Sequence, residues 1–359
     1  MASALTPRQR ADAFCRRFAL GIPILQAPMA GACPPGLAVA VARAGGMGGM
    51  GGVLSKPGEI ATWAQQVRQG SNGAFQINLW VPDPPPARDA AAEARVRAFL
   101  GQWGPEVPAA AAESATPDFP AQFQAVLEAG PAVVSSIMGV FPPDCVAALK
   151  ARGVAWFANA TTVREALAAE AAGADVIVAQ GFEAGGHRGA FDAGAAEQEL
   201  VGLFALVPRI AERVGLPIVA AGGIGDGRGV AAALILGASA VQVGSVLLRC
   251  PETGAHPAWA ATLEGLEPED TQPTRAFSGR LGRAAVNDYV RAAADPASPR
   301  PAPYPVHRGL TAGLRQAAAA AGDPARMQMW AGQAAAFARD EPAGDLVQRL
   351  WAEAQTLLA

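Results

Sequence analysis

The stretch Ile218-Val219-Ala220-Ala221-Gly222-Gly223-Ile224-Gly225-Asp226 decides the fold class. Its apolar and small residues run without alternation and stop at paired glycines. A strand covered on both faces has that pattern, and such strands belong to parallel sheets. The next segment, Gly229–Leu248, carries no charge over twenty residues, which is the length of a membrane span. Gly237, Ser239, Gln242, Gly244 and Ser245 interrupt it. It therefore reads as a short helix, a glycine break and a second buried strand, Ala240–Ser245. Outward from this pair lie six more runs of the same kind: Pro23–Met29, Met47–Val53, Phe75–Trp80, Ala132–Gly139, Ala155–Thr161 and Val176–Gly181. Ala-rich helical stretches separate them. Thr162–Ala172 turns Val163, Ala166, Leu167 and Ala171 inward, and Gly173-Ala174-Asp175 stops it before the next strand. Eight such units in about 250 residues predict an α/β fold, a (β/α)8 TIM barrel. A doubly wound open sheet usually has about five or six strands.

Two segments depart from the repeat. Residues 82–131 form an insertion between the third and fourth strands, with helices expected from Arg88 to about Gln102 and near Ala121–Ala129. After Leu248 the strand signal is lost. The expected organisation is a barrel over 1–248, a smaller helical lid over 249–324, and C-terminal helices over 325–359 that pack back on the barrel.

Composition excludes several classes. Of 359 residues 51% are apolar and 16% charged, too apolar and too uncharged for a disordered chain. A net charge of −3 leaves no electrostatic footprint for nucleic acid or an anionic membrane. The four cysteines form no C-x-x-C pair, so neither zinc nor a disulfide framework is indicated, and a reducing cytoplasm is expected. Met1–Arg17 lacks the uninterrupted apolar core of a secretory signal. Monomer and homodimer both stay open.

Chemistry in a TIM barrel sits at the C-terminal strand ends. Gly222-Gly223 and Gly244-Ser245 end the seventh and eighth strands, the usual phosphate position of this fold. The helix from about Asp226 is expected to aim its positive end at the same place. The sixth strand ends in Gln180-Gly181, followed by Phe182-Glu183-Ala184-Gly185-Gly186-His187-Arg188-Gly189. His187 is one of only three histidines and sits at a strand end, where it is expected to titrate near neutral pH and act as a base. Glu183 with His187 lacks a third metal ligand, so no metal is expected. No G-x-S-x-G elbow is present for a serine hydrolase. Only Lys56 lies near a strand end, and it precedes Pro57 in a loop, which disfavours a Schiff-base lyase.

Gln26–Gly31, Gln180–Gly189, Ala221–Ile224, Gly244-Ser245, Arg275–Arg280 and Trp330–Gln333 together resemble the nitronate monooxygenase (2-nitropropane dioxygenase-like) family. The resemblance runs from about Gly21 to Leu358 and is weakest in the insertion. It implies an FMN-dependent barrel that oxidises alkyl nitronates, and nitroalkanes, with O2 to a carbonyl compound and nitrite. By motif, Ala27, Pro28 and Met29 would line the isoalloxazine. Asn78 and Gln180 would hydrogen-bond the flavin or its ribityl chain. Gly185 and Gly186 would let backbone approach it, and Gly222, Gly223, Gly244 and Ser245 would hold the phosphate. His187 would be the base or polar anchor, with Tyr304 as a lid residue near the substrate. Two residues depart from the family pattern, Ile137 for a histidine and His307 for a glutamine, and both bear on the substrate. With Met29, Ile137, Met138 and Tyr304 near the flavin, a narrow apolar pocket is expected, favouring long alkyl nitronates over carboxylated ones. The rival readings are an FMN-dependent NAD(P)H reductase of quinones or enoyl-thioesters, and a non-redox phosphate-binding lyase or isomerase.

Overall fold

A computed structural model describes residues 5–71, 73–113 and 118–358. Its strands in chain order are β1 (Ile24–Gln26), β2 (Gly48–Gly51), β3 (Phe75–Trp80), β4 (Val133–Ile137), β5 (Ala155–Ala160), β6 (Val176–Gln180), β7 (Gly186–His187), β8 (Ile218–Ala221), β9 (Ala240–Val243), β10 (Thr271–Thr274) and β11 (Gly282–Ala285). Each of the eight runs read from the sequence contains one strand of a single sheet, ordered β1-β9-β8-β6-β5-β4-β3-β2 and parallel throughout. The two ends of that order meet at a parallel bridge, Leu25 to Met47. Gln26 N donates to Met47 O at 2.9 Å and Met47 N to Ile24 O at 3.1 Å, which closes the barrel.

Local chemistry sets the helix boundaries. Thr162 caps Val163–Ala171 in a reciprocal box with Glu165. Asp89 and Asp118 cap the insertion helices Ala90–Leu100 and Phe119–Ala129, and left-handed Gly130 ends the second. The uncharged stretch 229–248 falls into the helix Gly227–Ile235 and strand β9. Among the described residues no helix is long and apolar enough to cross a membrane.

The barrel bottom is plugged. Phe14 and Phe18 of the first helix stack on Phe157, over Leu25, Met47, Val176 and Val219 from the strands. The opposite end, where the strands terminate, is left open for ligands. The insertion helix Ala90–Leu100 shares an apolar cluster with the segment after Leu248: Val96 and Leu100 pack with Phe277, Tyr289, Leu310 and Leu314. That later segment is largely helical, yet it also carries β10 and β11. These form a three-stranded antiparallel sheet whose third member is β7, from the loop after β6. The sequence shows no alternation there because the strands are four residues or fewer and rich in Gly, Pro and Arg.

Candidate active site

Glycines at the ends of β8 and β9 open a floor. Gly222 and Gly223 have φ of 110° and 69°, in the left-handed region that side chains disfavour. A Cβ on Gly222 would stand 2.9 Å from Ala184 N. The N–H groups of Gly223 and Gly244 have no acceptor among the described residues, whereas the register of Ala221 opposite Gln242 aims Gly222 N at the Gln242 carbonyl. Unpaired amides beside a cavity are rare and suit an anionic ligand. The helix Gly227–Ile235 does not contribute as expected from the sequence. Its first amides are already taken, Gly227 N by Glu353 Oε2 at 3.0 Å and Gly229 N by Asp226 Oδ1 at 3.1 Å. Ser245 Oγ accepts from Gly332 N at 2.9 Å, so it ties residues 331–333 to the floor.

The walls come from other strand ends. Gln180 is satisfied at both ends of its amide: Nε2 donates to His187 O at 2.9 Å and Oε1 accepts from Gly189 N at 2.7 Å. It pins the loop that carries His187. Asn78 turns its amide nitrogen to Ser135, 3.0 Å from Oγ and 3.2 Å from the carbonyl.

His187 is held by four residues. Strand β7 pairs it with Gly282 of β11. Its ring lies 4.8 Å, centroid to centroid, from both Trp80 and Trp330. Nε2 is 2.8 Å from Ser278 Oγ, which also lies 3.2 Å from the Arg280 carbonyl. With the hydroxyl proton on that carbonyl, Nε2–H donates to Ser278 and Nδ1 is left as the acceptor. Burial, and then the charges of Arg280, Arg308 and Arg315, pull the imidazole down from 6.5 to about 3. The expected titration near neutral pH is therefore corrected: His187 is neutral across the physiological range and a weak base.

The pocket keeps the apolar lining expected from the sequence, with Met29, Ile137 and Tyr304 on its wall, but also carries two cations. Arg308 and Arg315 line the cavity beside Tyr304, and neither has a carboxylate partner among the described residues. Burial and the neighbouring Arg308 lower Arg315 to about 10, so it stays charged at neutral pH. Its Nη2 donates to Arg308 O at 2.9 Å, while the Arg308 guanidinium makes no hydrogen bond among the described residues. Arg280 differs: its charge is paired with Asp83, and it donates to Ala190 O. Ile137 does line the cavity, whereas Met138 is buried with its sulfur against Arg280. His307 lies outside the cavity. Its Nε2 is 2.9 Å from Ala276 O and its Nδ1 accepts from Ala302 N at 3.3 Å, so this departure from the family pattern is a backbone clamp.

All the site residues named from the sequence line one cavity of about 380 Å³: Ala27, Pro28, Met29, Asn78, Gln180, Gly185, Gly186, His187, Gly222, Gly223, Gly244, Ser245 and Tyr304. Sequence reading missed Trp80, Gln242, Arg308 and Arg315 there. Trp80 had a usable signal, a tryptophan at a strand end. The arginines had none, because they sit on short helices outside the barrel repeat.

A TIM barrel with a glycine-lined floor and unpaired guanidiniums at its strand ends is a scaffold for an anionic ligand. The nitronate monooxygenase family profile matches residues 14–353. A nitronate monooxygenase of Paraburkholderia phytofirmans is 43% identical over 340 residues, covering 92% of each chain. One of Pseudomonas aeruginosa is 41% identical, covering 94% of this chain and 98% of its own. The crystal structure of a nitroalkane oxidase from Streptomyces ansochromogenes superposes with a TM-score of 0.84 at 37% identity, covering 95% of this chain and 98% of its own. The chain belongs to the nitronate monooxygenase family.

Proposed function

We propose that this protein binds FMN and oxidises alkyl nitronates with O2 to a carbonyl compound and nitrite, in a reducing cytoplasm where its four free cysteines stay reduced. The carrying observation is charge: a neutral His187 beside two uncompensated guanidiniums, Arg308 and Arg315. The unpaired amides of Gly223 and Gly244 suit one phosphate. The G-x-G-x-x-G spacing after β8 fails at Val230, so no adenosine half is signalled and FMN fits better than FAD. Bound flavin supplies the redox chemistry, taking electrons from the substrate and passing them to O2.

The chain's own residues select the substrate form. A nitronate is already an anion, which Arg308 and Arg315 hold without any proton transfer. A neutral nitroalkane must first lose its α-proton, and an imidazole at about 3 holds such a proton poorly. His187 then serves chiefly as a polar anchor oriented by Ser278, while Trp80, Trp330 and Tyr304 exclude water. The guanidinium pair also reverses the tail preference expected from the sequence, in favour of nitronates bearing a second anionic group.

The test is oxygen uptake by FMN-reconstituted protein with a preformed nitronate and with its parent nitroalkane. A parallel anaerobic mixing experiment uses NADH. Faster turnover of the nitronate, with no bleaching of the flavin by NADH, is expected. Rapid bleaching by NADH with none by the nitronate would move the assignment to the quinone or enoyl-thioester reductases.

A further inference from the structure

Indole N–H groups in the barrel core are satisfied by the protein. Trp63 Nε1 donates to Cys33 O at 2.9 Å and Trp156 Nε1 to Ser136 Oγ at 3.0 Å. Trp259 Nε1 is sealed in the interior without a partner, out of a ligand's reach. Trp330 Nε1 differs from all of these. It has no acceptor among the described residues, yet it is not sealed, and its residue is half-buried on the cavity wall. An indole nitrogen is a donor only, so whatever it meets there has to accept.

Local structure fixes which way that donor points. Residues 329–332 run beside β11: Ala285 N donates to Met329 O at 2.9 Å, Ala331 N donates to Arg283 O at 3.3 Å, and Trp330 bridges Ala284. Gly332 N then donates to Ser245 Oγ. Met329 turns into an apolar cluster, so Trp330, next along extended chain, turns to the opposite face. There β11 places Gly282 against its ring. A Cβ on Gly282 would stand 3.0 Å from Trp330 Cζ3 and 3.1 Å from Cη2, so the benzo edge lies on that glycine. Nε1 belongs to the other ring, across the indole from Cζ3. Phe277 packs edge-on at 5.7 Å and the His187 imidazole lies at 4.8 Å. The pyrrole edge, with its N–H, is what remains for the cavity.

This donor sits where the imidazole offers none. His187 gives its Nε2 proton to Ser278, and Nδ1 presents a lone pair. The two oxygens of a nitronate share a negative charge and need donors. Arg308 supplies charge on a long flexible side chain, whereas the backbone bonds around Trp330 hold its N–H in place before the substrate arrives.

We propose that the Trp330 indole N–H donates to an oxygen of the bound nitronate, which makes Trp330 a specificity-determining residue for the anionic form of the substrate. The inference rests on the nitronate reading above. The oxygens carry most charge in the bound anion and lose it as electrons leave. The contact therefore strengthens binding more than the chemical step, and its loss shows in KM rather than kcat.

The experiment compares FMN-reconstituted wild type and Trp330→Phe by oxygen uptake, on a preformed nitronate and on its parent nitroalkane. Phenylalanine keeps a ring against His187 and drops the N–H. KM for the nitronate should rise about ten- to a hundredfold, the worth of one hydrogen bond to a charged group, with kcat nearly unchanged. The neutral nitroalkane should lose about fivefold or less. FMN affinity, followed by fluorescence quenching, should stay at the wild-type value. Equal losses on both forms would mark a packing role, and weakened FMN binding would assign the N–H to the flavin. Either result, or an unchanged KM, overturns the proposal. A second measurement does not depend on Trp330→Phe folding. In holoenzyme isotope-labelled on its indole nitrogens, nitrate, an unreactive planar oxyanion, should move one indole N–H resonance downfield. The same resonance should still move in Trp80→Phe, which lacks the other indole on His187. No movement in wild type, or none in Trp80→Phe, overturns the proposal. A wild type that oxidises neither form but keeps the nitrate shift overturns the nitronate reading and leaves the anion contact standing.

Discussion

Arg308→Met removes a guanidinium that lines the cavity with no hydrogen bond and no carboxylate partner among the described residues. Its full charge is therefore available to an anionic substrate, unlike that of Arg280, which Asp83 neutralises. Opposite unit charges about 4 Å apart attract by about 4 kcal/mol at an effective dielectric of about 20. Arg315 remains and water enters the vacated space, so the loss is nearer one charge-assisted hydrogen bond, about 1.5–3 kcal/mol. That corresponds to a fall in kcat/KM for a nitronate of roughly ten- to a hundredfold. The same change strips one of the three positive charges that hold His187 at about 3. Removing a positive neighbour raises the imidazole and makes it a stronger base. A neutral nitroalkane, which depends on that base, should lose less than the nitronate does. Oxygen-uptake kinetics on both forms of one compound measure the two effects, and Arg308→Lys should restore most of the nitronate activity. Equal losses on both forms, or an unchanged nitronate kcat/KM, would refute an anion-selecting role for Arg308.

Gly222→Ala places a Cβ 2.9 Å from Ala184 N at a φ of 110°, a strain of about 1–3 kcal/mol; flavin content on purification should drop and the melting temperature fall, and full flavin stoichiometry would count against the floor. Arg280→Met leaves Asp83 and the Ala190 carbonyl without their cation, in a pair whose arginine side chain is only 3% exposed. Urea unfolding should show a loss of about 3 kcal/mol, partly recovered by adding Asp83→Asn; no recovery would show that the pair is not what is lost. Burial holds His187 and His307 neutral, at about 3 and about 4, against 6.5 when unfolded. Below 6.5 the unfolded chain takes up protons that the native fold refuses, so stability is full above 6.5 and falls as pH drops toward 4. Urea midpoints that stay flat between neutral pH and about pH 5 would contradict this.

The barrel was legible because each of its strands is covered on both faces, which forces a local apolar run that one sequence displays. Its strand ends were legible for the same reason: Gly222-Gly223 and Gly244-Ser245 occur where backbone must approach a ligand, and glycine leaves a visible mark. The pocket's charge was not legible. Arg308 and Arg315 lie on helices of five and ten residues with no repeat to place them, and an arginine reads the same in sequence whether paired or unpaired. His187 was found as a residue but misjudged as a base. Its neutrality comes from burial and from arginines more than ninety positions later, none of which its own loop announces. The small sheet was missed because β7 is two residues long and its partners form only in three dimensions.

That sheet explains how a loop histidine becomes a fixed element of the site. Glycine-rich loops after barrel strands have many conformations, and ordering one is entropically unfavourable. Here Gly186 and His187 gain ladder partners in β11, Arg188 N donates to Leu281 O, and the Arg188 guanidinium bonds the carbonyls of Gln180, Thr161 and Glu199. The loop is thus locked from the barrel side by Arg188 and Gln180 and from the other side by β11 and Ser278. The same strand pairing fixes the 275–283 region against the His187 loop, and Arg280 latches it to Asp83 after β3. The cationic wall and the placement of His187 therefore have one source: the segment that carries Arg308 and Arg315 also carries Ser278 and β11, which hold the imidazole.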